Sequence, residues 1–135
     1  MIIGVFEVVN ALVCEDVRRE VNGKEILIGV YGNSILVPSF PIDLNLMFWF
    51  QTKAPEGDHE LKLRISNASD AVFLEASVNA HVSAANELAS LAVGTMIQAQ
   101  NETTLKFQGR NADSDWSTIV EIPIRRGPVQ PTRKQ

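Results

Sequence analysis

The segment ELKLRISNASDAVFLEASVNAHV, residues 60–82, decides the fold. Its first seven positions alternate: Leu61, Leu63 and Ile65 on one side, Glu60, Lys62 and Arg64 on the other. A period of two is the signature of a half-buried strand, because successive side chains of an extended chain point to opposite faces. Four turn-forming or small residues follow, Asn67-Ala-Ser-Asp70, and then the alternation resumes. Val72, Leu74, Ala76, Val78, Ala80 and Val82 share one face; Phe73, Glu75, Ser77, Asn79 and His81 share the other. Two such runs around a short turn predict a β-hairpin.

The same pattern extends in both directions. TTLKFQG places Leu105 and Phe107 inward, and STIVEIPI places Val120, Ile122 and Ile124 inward, with the turn-rich RNADSD between them. Pro123 falls on the outward phase, which predicts an edge strand. Upstream, residues 5–16 and 25–32 form two further runs joined by Asn22-Gly23, a strong hairpin signal because both residues tolerate positive φ. SILVP is a short strand, and Pro38 and Pro41 punctuate a loop that leads into LNLMFWFQ. Only 84–91, AANELASL, has helical spacing, through Leu88 and Leu91, and so short a segment predicts a turn or two at most. Eight or nine short strands separated by turn signals predict an all-β fold, an antiparallel two-sheet β-sandwich of immunoglobulin-like or C2-like type.

The 135 residues fit one domain, expected over 1–126, with 127–135 (GPVQPTRKQ) a disordered basic tail. Four of the 12 basic residues lie in the last eleven positions, so residues 1–124 carry 8 basic against 16 acidic side chains. An acidic body is ill suited to a phosphate backbone, and no nucleic-acid partner is expected. No apolar run approaches the ~18–20 residues that span a bilayer, so no membrane partner is expected either. The N-terminal MIIGVFEVVNALVC lacks the basic start of an export signal, and Glu7 and Asn10 interrupt its apolar run. One cysteine, Cys14, precludes an internal disulfide and suits a reducing, cytoplasmic setting.

Catalytic signatures are scarce. The chain has no G-x-S-x-G elbow and no phosphate-binding glycine motif. One Cys and two His supply too few ligands for zinc. Cys14 follows two residues after Leu12 on the same phase, which points it into the core, and the adjacent Glu15 and Asp16 oppose a thiolate. No enzyme activity and no cofactor are expected. A loop ligand or calcium site is conceivable at Asp58 and His59 together with Asp113 and Asp115, provided the two loops share an end of the sandwich.

The apolar feature that stands out is LNLMFWF. Leu44, Leu46, Phe48 and Phe50 take one face, yet Met47 and Trp49 take the other, which a two-layer fold normally leaves wet. Met47, Trp49 and Phe73 are therefore expected to form an exposed patch that binds a protein partner, with Arg18 setting register.

Residues 11–41 resemble a small family of uncharacterised bacterial and phage-associated proteins. The likeness lies in Cys14, Asp16, Val17, Arg18, Glu20, then Asn22-Gly23-Lys24, then Ile28-Gly29-Val30-Tyr31, and VPSFP at 37–41. PEGDHELKLRI is similar to a strand entry common in such sandwiches. The resemblance implies a β-sandwich and carries no activity or substrate. The expected function is a non-enzymatic protein-interaction module, self-associating as a homodimer or larger oligomer. The alternatives are a phage structural component, or a ligand- or calcium-binding sandwich with a loop site.

Overall fold

The turn at Asn67–Asp70 closes as the alternation requires. The Asn67 side-chain oxygen accepts from the Ser69 and Ala71 amides, and Asp70 takes φ 61°. The computed structural model describes residues 1–85, 87–112 and 114–128. Ten strands lie among them: β1 (Ile2–Ile3), β2 (Phe6–Arg19), β3 (Glu25–Val30), β4 (Ile35–Val37), β5 (Ile42–Lys53), β6 (Gly57–Asn67), β7 (Val72–Val82), β8 (Ala89–Ala99), β9 (Thr103–Asn111) and β10 (Ser117–Arg126).

They form two packed five-stranded sheets, a β-sandwich. In the first sheet β2 carries β1 and β3 along one side and pairs with β5 on the other, and β8 follows β5. The second sheet runs β4-β10-β9-β6-β7, antiparallel except for β4 beside β10. Residues opposite each other in an antiparallel pair share a face. Val13 opposite Phe48, Phe48 opposite Val93, and Leu63 opposite Ala76 and Gly109 therefore identify the inner faces. Phe107 of the second sheet packs against Phe48 and Phe50 of the first, ring centres 5.1 and 5.6 Å away. All three rings are buried.

Several expectations are corrected. Among the described residues of 84–91 no helix forms: Ala89–Leu91 open β8, where Leu91, Val93 and Ile97 alternate with Ala92, Gly94 and Met96. The apolar alternation was present in the sequence, but small residues diluted it. Pro123 does lie on a bordering stretch, as its phase predicts: β10 pairs with β9 from Ser117 to Ile124 and with β4 only from Ile124 to Arg126, so β10 is interior at its end alone. Pro123 sits just before that second pairing begins. Gly127 continues the fold by donating its amide to the Val37 carbonyl at 3.0 Å. Of the segment 127–135 expected to be disordered, residues 129–135 lie outside the described residues.

Phe107→Ala removes the ring that joins the layers. It is expected to cost about 3–5 kcal/mol, the usual range for a buried Phe truncation, read as a drop in the urea midpoint at unchanged slope.

Candidate interaction surface

The two outer faces differ in chemistry. On the second sheet, Glu60 pairs with Lys62 at 3.8 Å and Asp70 with Lys106 at 3.6 Å. The Arg64 and Arg110 guanidinium carbons lie 4.3 and 4.8 Å from the Trp116 ring centre. Arg64 Nε donates to Gln108 at 2.8 Å, whereas the buried Arg110 Nε has no acceptor among the described residues. Trp116 and its two arginines were not anticipated from sequence, because β6 and β9 bring together residues 64 and 110 that no local pattern links. This face is a wet one, with apolar area covered by cation stems and heads.

The outer face of the first sheet is different. Leu12 lies opposite Trp49 and Cys14 opposite Met47; Trp49 and Met47 in turn lie opposite Ala92 and Gly94, and Asn45 opposite Met96. The outward residues of β2 from Asn10 to Cys14, of β5 from Asn45 to Gln51 and of β8 include no Asp, Glu, Lys or Arg. Met47 packs flat on Gly94, its sulfur 2.6 Å from where a Cβ would stand. Beyond β2, Ile26, Ile28 and Val30 of β3 add exposed apolar area, and Met96 is 69% exposed at the β8 border.

Trp49 belongs to this face by register, but it is not the exposed anchor expected. Only 8% of it is accessible, and its indole N–H donates to Glu25 of β3 at 3.4 Å. Met47 is half-buried beside it. Phe73, 37% exposed, lies on β7 of the other sheet and lines a groove with Ile97 and residues 98–103, so the structure does not bring it to Met47 and Trp49. Arg18 is exposed, bonded to Asp16 at 3.2 Å and opposite Ile26.

The Cys14–Tyr31 motif is the β2–β3 hairpin and its exit. Gly23 takes φ 86° in the turn, where the Asn22 side chain accepts the Lys24 amide. Gly29 takes φ 66°, and a Cβ there would fall 2.7 Å from the Glu15 carboxyl. Only glycine combines that backbone with that approach. Cys14 is fully buried, as a core cysteine should be, yet it points to the outer face, contrary to the inward direction expected. The bulge between Val8 and Asn10 does not alter this, since Leu12 and Cys14 stay in step with Trp49 and Met47. Burial raises the Cys14 thiol pKa above its ordinary value, with Asp16 and Glu15 adding to the effect and a backbone hydrogen bond opposing it. Tyr31 is raised chiefly by burial, then by Glu15 and Cys14.

Asp58, His59, Glu60 and His81 line one shallow groove. Within it Asp58 is 2.7 Å from His81 Nδ1, both highly exposed. His59 is engaged elsewhere, with Nε2 2.7 Å from the Pro55 carbonyl and its ring edge-on to Phe6. Asp115 is exposed in the β9–β10 turn and does not line this groove, and Asp113 lies outside the described residues. Among the described residues no three His, Cys, Asp or Glu side chains cluster to hold a metal ion. No described helix is long and apolar enough to cross a membrane. No family model and no curated protein matches this chain.

Trp49→Phe removes the N–H and shrinks the buried indole to a benzene ring, and is expected to cost more in urea unfolding than the roughly 1 kcal/mol of the hydrogen bond alone. Trp49→Asp would bury a charge beside Glu25 and is expected to abolish cooperative folding altogether. The raised Cys14 and Tyr31 values carry a sign. Both groups hold their protons more tightly in the folded state, so their contribution is complete at neutral pH. It is lost as pH rises past the ordinary thiol value of 9.0 for Cys14 and the ordinary phenol value of 10.0 for Tyr31. Urea titrations are expected to show stability falling above these values, while a thiol reagent at neutral pH labels Cys14 only as fast as the fold opens.

Proposed function

We propose that this chain is a non-enzymatic protein-interaction module that self-associates through its first sheet. One observation carries the reading: the centre of the first sheet's outer face, from Asn10 to Cys14 on β2, Asn45 to Gln51 on β5 and along β8, lacks charged side chains, while the outer face of the second sheet is studded with them. A soluble sandwich gains nothing from leaving Leu12, Met47, Ala92 and Met96 against water. An apolar face bordered by polar residues is the common form of a protein contact surface. Asp16 and Arg18 on one margin and Asp43 on another supply charged borders.

Solution mass by light scattering over a wide concentration range tests the reading. The expected result is a species of at least twice the 14.9 kDa chain mass. Reversing charges on the second sheet, with Lys62→Glu and Lys106→Glu, is expected to leave that mass unchanged. A single-chain mass at every concentration would overturn self-association.

A further inference from the structure

We propose that two copies of this chain join edge to edge along β8, antiparallel, with the two-fold axis at Gly94. The proposal rests on the self-association reading and places the contact at the free edge of the first sheet, beside its apolar outer face rather than across it.

An edge strand offers a row of unpaired backbone donors and acceptors, and proteins that stay monomeric blunt such edges with brevity, charge, proline or bulges. The other borders of this sandwich are blunted. β1 and β4 are two and three residues long. β3 is broken by Gly29 at positive φ. The unpaired stretch of β10 has an irregular register between Thr118 and Val120 and contains Pro123. β7 carries Glu75 and His81, the latter tied to Asp58, and an irregularity near its start. β8 has none of these guards. It pairs with β5 over all eleven residues from Ala89 to Ala99 without a register shift, and it has no charged residue and no proline.

Its sequence also matches itself in reverse. With the axis at Gly94, Ala92 of one copy faces Met96 of the other, Leu91 faces Ile97, and Ser90 faces Gln98. These three pairs join residues of one face and like polarity, Val93 meets the β-branched Thr95 on the inner face, and the small Ala92 leaves room for Met96. No like charges meet, although self-pairing places every residue of β8 against β8. Such an isologous contact closes on itself as a dimer. It continues the first sheet across the axis and joins the two uncharged outer faces into one.

Two double variants at exposed positions read the register. A92K/M96K sets Lys against Lys twice across the axis and is expected to run at the mass of one chain. A92E/M96K sets Glu against Lys twice and is expected to restore twice that mass. Both introduce two charges on the same face, so a contact made face to face would lose association in both. That result, or a dimer that persists in both, would overturn the edge pairing while leaving the interaction-module reading intact. A wild-type chain that is monomeric throughout overturns the module reading itself. Hydrogen exchange on the wild type gives a test without substitutions. Dilution through the dissociation midpoint is expected to speed exchange at β8 amides by tenfold or more and to leave β7 unchanged; equal rates above and below the midpoint at β8 would overturn the proposal.

Discussion

Phe107 of the second sheet packs against Phe48 and Phe50 of the first, and the rest of the sandwich depends on that contact. Three interlocking rings set the separation of the layers and the phase of every strand around them. Once Phe48 and Phe50 point inward, period two sends Met47 and Trp49 outward, and antiparallel register extends the choice to Leu12, Cys14, Ala92 and Gly94. A one-residue slip in any of these strands would exchange core for surface. The uncharged outer face is thus a direct consequence of how the core is keyed.

Most of this was legible in the sequence where alternation is strong and side chains are large. The β6–β7 hairpin, the β9–β10 pair and the Asn22-Gly23 turn follow from local pattern alone, because turn chemistry and strand period act over a few residues. What was not legible depends on residues far apart in sequence. Trp49 looks exposed by phase, but Glu25 comes back along a neighbouring strand to meet it. Cys14 shares the phase of Leu12 as read; that this phase is the outer one depends on its pairing with Met47. β8 was obscured by its own composition: alanine and glycine weaken the period-two signal, and Leu88 with Leu91 imitates a helix. Of the residues singled out for a loop site, Asp58 and His59 do share a groove, but each is occupied by a partner that only the three-dimensional register reveals.

The same contrast explains how the molecule handles its borders. Charges in this chain are plentiful, yet they are placed unevenly: cross-strand pairs and cation–aromatic contacts occupy the second sheet, and the first keeps its acids and bases to its margins. Isolated exposed ion pairs add little stability, so the distribution matters more for which surfaces can touch than for how firmly the fold holds. A sheet that excludes charge from its face and from one long edge is compatible with close approach by another backbone, whereas its partner layer is hydrated and self-paired.

The chain has two tryptophans, and the sandwich assigns one to each layer. Trp49 is enclosed in the first sheet against a carboxylate, and Trp116 lies on the second beside two guanidinium groups. Their indoles therefore experience opposite local fields and different degrees of solvent contact. The molecule consequently contains its own pair of optical reporters, each confined to one layer. Because one continuous core joins the layers, the two signals are expected to change together when the fold opens, and a lag between them would mean that the sheets part before both unfold.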